Sequence, residues 1–145
     1  MLVSQILKDK AIQEVLQVAP GTKVGEAAGI LSAKKIGGVI VCDADTMVPL
    51  GIVTERDIVR ELGKRGSGCL DDKVDDIMTR DLVTCDPNDR AIRVLQVMTE
   101  KRFRHMPVMD EGKLIGLVSI GDVVKARLDE LSAQADALKN MIMGY

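Results

Sequence analysis

Apolar residues along this chain switch between a strand-like and a helical period, and the same succession of patterns occurs twice. In the first copy, Val15-Leu16-Gln17-Val18 predicts a short strand stopped by Pro20-Gly21. From Lys23 to Lys35, Val24, Ala27, Ala28 and Leu31 lie on one helical face. Gly37-Gly38 ends that helix, and the β-branched run Val39-Ile40-Val41 suits a buried strand. Asp43 to Met47 is a polar turn, Leu50 to Val53 a third strand, and Glu55 to about Gly63 a second helix.

The second copy repeats this order. Leu82-Val83-Thr84-Cys85 reads as its first strand and Asp86-Pro87-Asn88-Asp89 as a capped helix start. Ile92, Leu95 and Met98 mark the apolar face of the helix that follows. Met106 to Met109 and Leu114 to Val118 are strands around the turn Asp110-Glu111-Gly112-Lys113. Pro107 has no N–H, so its strand should start at an edge or turn the missing donor toward a ligand. Each unit is therefore strand, helix, strand, strand, helix, and a duplicated unit implies two equivalent clefts.

The expected divisions are a first repeat with its N-terminal segment (residues 1–63), a linker (64–73), a second repeat (74–127) and a C-terminal amphipathic helix (128–145). Gly63-Lys64-Arg65-Gly66-Ser67-Gly68 reads as a flexible joint, with a phosphate contact from Lys64 or Arg65 as the other reading. It lacks the residue order of a phosphate loop. In the tail, Val124, Leu128, Leu131, Ala135, Leu138 and Ile142 form a helical stripe of about five turns. Such a stripe can fold back on its own core or pair with a second chain.

Both copies end on a hydroxyl–x–x–aspartate directly after a Gly-apolar-apolar strand: Thr54 to Asp57, and Ser119 to Asp122. As plain structure, each is a capping box worth about 0.5–2 kcal/mol. The duplication favours a further use. A carboxylate at a strand end can accept hydrogen bonds from two adjacent ribose hydroxyls. It would repel a phosphate, which must then lie toward positive charge. Arg56 in the first copy, and Arg102, Arg104 and His105 in the second, are the candidates.

Composition narrows the classes. Phe103 and Tyr145 are the only Phe, Tyr or Trp residues, so a sheet that stacks nucleobases on exposed rings cannot be built. A net charge of −2 provides no basic field for a nucleic acid or an anionic membrane. No run of 18 apolar residues exists to span a bilayer, and the first ten residues lack a signal-peptide core, so a cytoplasmic location is expected. Cys42, Cys69 and Cys85 have no zinc spacing and are expected to be reduced; a disulfide between repeats is the minor alternative. With one histidine and no nucleophile–base order, the chain is read as non-catalytic and without a metal.

The run from Arg102 through Asp110, followed by Gly116-Leu117-Val118-Ser119-Ile120-Gly121-Asp122, strongly resembles a CBS domain, the module named after cystathionine β-synthase. Val74-Asp75-Asp76-Ile77-Met78-Thr79 is similar to that family's lead-in segment, and Gly51 to Asp57 matches in the first copy. The resemblance covers nearly the whole chain and implies a stand-alone tandem pair, or Bateman module. Its fold would be α+β: two βαββα repeats related by a pseudo-two-fold axis and packed through their sheets, with an extended C-terminal helix. It implies a regulatory module for an adenine nucleotide (AMP, ADP, ATP or NAD(H)) or S-adenosylmethionine. Asp57 and Asp122 would hold ribose, aided by Thr54 and Ser119. Thr79, Leu82, Thr84, Met106 and Pro107 would line a base pocket. Gly37 and Gly38 stand where the second copy has Arg104 and His105, so unequal sites are expected. The expected partners are a second copy of the chain, giving a homodimer, and a separate effector protein. The alternative is a structural dimerisation module with vestigial clefts.

Overall fold

A computed structural model of the chain describes residues 1–10 and 17–144. In chain order it forms α1 (Val3–Asp9), β1 (Gln17–Val18), α2 (Val24–Lys34), β2 (Gly38–Cys42), β3 (Pro49–Thr54) and α3 (Glu55–Arg65). A 3₁₀ turn (Gly66–Asp71) leads to α4 (Val74–Ile77), α5 (Ala91–Lys101), β4 (His105–Asp110), β5 (Lys113–Ser119) and α6 (Ile120–Ile142). This is the mixed α+β arrangement with two repeats that the sequence predicts. The Val15-Leu16 part of the first predicted strand lies outside the described residues.

The chain divides into two compact units that are not its two sequence repeats. One comprises Glu14–Val83 with the hairpin tip Asp110–Ile115; the other comprises Met1–Gln13, Thr84–Met109 and Gly116–Tyr145. Each lead-in helix thus belongs to the unit of the opposite copy: α4 with the first, α1 with the second.

In the first unit, β1 runs parallel to β2 and β2 antiparallel to β3, with Val18 beside Val41, and Val39 beside Val53. All of β2 is buried, which explains why its sequence is apolar without alternation. Val24, Ala27 and Leu31 of α2 face this sheet's core, joined by Ile58 of α3 and by Val74, Ile77 and Met78 of the lead-in. The main chain stitches the lead-in in place: Val24 N–H donates to Asp72 O (2.8 Å) and Val74 N–H to Thr22 O (2.8 Å). Thr79 and Ile52 exchange both backbone bonds, at 2.9 and 3.0 Å. That approach needs Gly51, because a Cβ there would lie 2.5 Å from Met78 Sδ and 2.9 Å from Thr79 O.

The second unit repeats these contacts with α1 in the lead-in position. Val3 N–H donates to Asp89 O and Ala91 N–H to Met1 O, both at 2.9 Å. A Cβ on Gly116 would lie 2.7 Å from Leu7 Cδ2, the counterpart of Gly51 against Met78. Val3, Ile6, Ala91, Val94, Met98, Met106, Val108, Val118, Val123 and Ala126 are its buried apolar residues. The buried face of α5 is therefore Ala91, Val94 and Met98, with the predicted Ile92 and Leu95 half-buried beside it. β4 and β5 form a two-stranded sheet whose turn has positive φ at Glu111 (51°) and Gly112 (78°), the geometry of a two-residue hairpin turn.

Three predicted elements are corrected. The strand expected at Leu82–Cys85 is a single parallel bridge from Cys85 to Val108. Cys85 bonds to Pro107 O (3.0 Å) and Met109 N–H (2.8 Å), and extending the ladder upstream would require the N–H that Pro107 lacks. The helix expected from Asp86–Asp89 starts at Ala91, without a side-chain cap. Asp86 and Asp89 instead close a turn, with Asp86 N–H donating to Asp89 Oδ2 (2.8 Å). The Met1 carbonyl satisfies the Ala91 N–H, one of the otherwise unpaired donors of the first turn of α5. The expected joint at 63–68 is helical: α3 runs to Arg65 and the 3₁₀ turn follows. Buried Cys69 anchors that turn, and Arg65 pairs with Asp72 (2.5 Å) and Glu61 (3.0 Å) instead of standing ready for a phosphate.

The tail is helical to Ile142. Its stripe does not fold back: Leu128 is 61% exposed, Leu138 58% and Ile142 78%.

Candidate functional site

Each repeat's last strand turns into its last helix through one junction. Thr54 and Ser119 leave the strand in extended conformation and cap α3 and α6. Both capping boxes form in full. Thr54 N–H donates to Asp57 Oδ2 (2.9 Å) and Asp57 N–H to Thr54 Oγ1 (3.3 Å). Ser119 N–H donates to Asp122 Oδ2 (2.9 Å) and Asp122 N–H to Ser119 Oγ (3.1 Å). The start of the neighbouring strand is held against each junction: Glu55 N–H donates to Gly37 O (3.0 Å) and Ile120 N–H to Arg104 O (2.8 Å). These bonds place Gly37 and Arg104 at equivalent positions, so the second junction gains basic Arg104 and His105 where the first has Gly37 and Gly38.

The two carboxylates differ in what surrounds them. Asp57 is buried, with its side chain only 7% exposed, and both oxygens are engaged. Oδ2 accepts from Thr54 N–H and from the Thr54 hydroxyl (3.0 Å), while Oδ1 pairs with Arg60 at 3.1 Å, one helical turn on. The Asp122 side chain is 25% exposed, and Oδ2 alone carries its bonds: Ser119 N–H and the Lys10 ammonium, each at 2.9 Å. Among the described residues, Asp122 Oδ1 takes part in none of these bonds. Lys10 Nζ also donates to Leu117 O at 2.6 Å, which fixes it over the junction. Burial pushes the Asp122 carboxyl up, but the Ser119 N–H and the Lys10 ammonium together outweigh it and hold the group below the ordinary carboxylate value.

The other candidate residues fall into two sets. With Ser119 and Asp122, the second unit holds exposed Thr84, Arg102 and Arg104, half-buried His105, and buried Met106 and Pro107. With Thr54 and Asp57, the first unit holds exposed Arg56 and Thr79 and half-buried Leu82. Arg102 is the left-handed C-cap of α5 (φ 60°), which leaves its side chain to solvent. Reasoning from motifs missed Lys10 and Arg60. The signal for Lys10 is faint: Val3-x-x-Ile6-Leu7 matches Val74-x-x-Ile77-Met78 and would have placed the following residues beside the opposite copy's strand.

All three cysteines are free and buried. Burial first, then Asp89 and Asp86, pushes the Cys85 thiol up to about 12, so it stays protonated and unsuited to attack near neutral pH. The described residues contain no group of three His, Cys, Asp or Glu placed to hold a metal ion. No helix among them is long and apolar enough to cross a membrane.

The CBS domain profile matches residues 3–64 and 74–129, the two repeats traced above. The chain belongs to the CBS domain family. It is 34% identical over 148 residues to the mitochondrial CBS domain-containing protein CBSX3 of Arabidopsis thaliana, spanning 98% of this chain and 72% of that one. The crystal structure of a CBS-domain containing protein from Agrobacterium tumefaciens superposes with a TM-score of 0.82 at 46% identity, over 88% of this CBS pair and 99% of that chain. That neighbour is thus almost wholly a CBS pair. A CBS domain pair crystallised with 5′-methylthioadenosine and S-adenosyl-L-methionine shares the fold with a TM-score of 0.78 at 23% identity, over 90% of this chain and 98% of its own.

Proposed function

We propose that this CBS pair is a non-catalytic regulatory module for an adenosine-containing ligand, with Asp122 as its ribose anchor. The observation that carries this reading is the contrast in carboxylates: Asp122 keeps Oδ1 outside its capping bonds, whereas Asp57 is saturated and buried. A ribose diol needs an acceptor it can reach, and each charge-assisted bond is worth about 1.5–3 kcal/mol. Ser119 Oγ accepts the Asp122 N–H at the same junction, while Met106, Pro107 and Thr84 are the candidate walls and hydroxyl for the base. Arg102, Arg104 and His105 are the candidate phosphate contacts. In the first unit, Thr54, Asp57 and Arg56 of the first copy, with Thr79 and Leu82 of the second, make the weaker site. The adenosine ligands of the CBS pair with the same fold support this class of ligand.

Thermal-shift titration with AMP, ADP, ATP, NAD(H) and S-adenosylmethionine tests the proposal, because a ligand that binds only the folded state raises the melting temperature by mass action. The expected result is a shift with at least one ligand, abolished by Asp122→Ala. No shift with any of them at millimolar concentration would leave the structural role.

The exposed stripe on α6 favours a second element of this reading, self-association as a homodimer that reports to a separate effector protein. A relative described as a hexameric CBS-CP12 protein, 27% identical, supports assembly as a property within reach of this fold. Replacing Leu128, Leu131 and Leu138 by Glu should lower the sedimenting mass; an unchanged profile would remove the dimer.

A further inference from the structure

We infer that Lys10 is part of the Asp122 ligand site and makes it selective for adenosine ligands with an anionic 5′ group. This inference rests on the ribose-anchor reading above and adds the charge class of the ligand.

A bare carboxylate that accepts the ribose hydroxyls opposes a phosphate carried on the same sugar. Lys10 removes that conflict at its source. Its ammonium is held at 2.9 Å from Asp122 Oδ2 and 2.6 Å from Leu117 O, so the ion pair is close to neutral. An ammonium has three N–H donors, and these two acceptors leave one for an incoming oxyanion. The pairing also uses Oδ2, the oxygen already taken by the cap, and leaves Oδ1 for ribose. Arg104, whose backbone carbonyl receives the Ile120 N–H at this junction, is an exposed basic residue anchored there, and the N-terminal end of α6 adds its partial positive charge. Together these favour an anion and disfavour a cation such as a sulfonium. The first copy has no counterpart: Arg60 spends its guanidinium on Asp57 Oδ1, the oxygen a ribose would need.

The experiment is calorimetric titration of the full chain with AMP, adenosine and S-adenosylmethionine, comparing wild type with Lys10→Met, Lys10→Arg and Asp122→Ala. Melting curves of each variant confirm that it folds. Lys10→Met should weaken AMP about tenfold or more, while adenosine changes by less than about twofold and S-adenosylmethionine tightens. Lys10→Arg should restore most of the AMP affinity, because the charge returns. An equal change for AMP and adenosine, or none, would overturn the charge role. Tighter AMP binding by Lys10→Met would also overturn it, marking Lys10 as a competitor for the carboxylate. If wild type binds none of the three, or Asp122→Ala binds them as well as wild type does, the ribose-anchor reading itself falls.

Discussion

The starts of α3 and α6 carry the same capping box on the same strand–helix junction, yet one aspartate is sealed and the other is half-open. In the first copy the balancing charge is Arg60, three residues along the same helix, and it closes Oδ1. In the second copy it is Lys10, delivered by the lead-in segment from the far end of the sequence, and it shares Oδ2 with the cap. The motif alone therefore does not decide accessibility. What decides it is which oxygen the neighbouring cation takes, and that depends on residues outside the motif.

The largest difference between the copies should come from the glycines that admit the lead-ins. Gly51→Ala drives a Cβ against the Thr79 carbonyl, part of a paired main chain that cannot step aside, and should cost about 3 kcal/mol of stability. Gly116→Ala meets only the tip of the Leu7 side chain, which can rotate, and should cost about 1 kcal/mol. Urea denaturation of the two variants measures this; equal losses would mean that both lead-ins yield alike.

Next come the aspartates, whose replacement should separate stability from binding. Asp57→Ala removes the acceptor for the Thr54 N–H and the partner of Arg60, lowering stability by about 2 kcal/mol with little change in ligand affinity. Asp122→Ala should weaken binding by about 1.5–3 kcal/mol, roughly tenfold to more than a hundredfold, with a smaller stability loss. The comparison breaks if calorimetry finds the affinity loss in Asp57→Ala instead.

The smallest effect concerns pH. The folded-state value of Asp122 is depressed, so its stabilisation is complete above the ordinary carboxylate value of 3.8 and is lost as pH falls through the lower folded value. The Lys10–Asp122 pair should contribute no more than about 1 kcal/mol. The stability difference between wild type and Lys10→Met should therefore be flat from pH 5 to 7 and shrink below pH 3.8. A difference that grows in acid would reject the assignment.

Much of the fold was legible in the sequence because the signals were local. Val24, Ala27 and Leu31 carry the helical period, Val39-Ile40-Val41 the buried strand, and each hydroxyl–x–x–aspartate its own cap. The misreadings occur where a distant part of the chain supplies what a local signal promised. Met1 O serves the Ala91 N–H at the start of α5, while Asp86 and Asp89 build a turn of their own ahead of it. Pro107 withholds a donor, so Leu82–Cys85 could not become a ladder. At the site, Ser119 and Asp122 were readable as a pair and Arg104 as their neighbour. The cation on Asp122 was not, because nothing near Asp122 in the sequence points to Lys10.

The crossing of the lead-ins also sets an order of events as the chain leaves the ribosome. The first repeat cannot complete its core until α4 has emerged, and its unit closes only when the Asp110–Ile115 tip arrives. The α1 helix has its partners in the Pro87–Asp89 main chain, β5 and α6, and must wait for the last third of the chain. Long-range closure of this kind slows folding. Until then the apolar face of α1 (Val3, Ile6 and Leu7) stays uncovered, a surface open to aggregation.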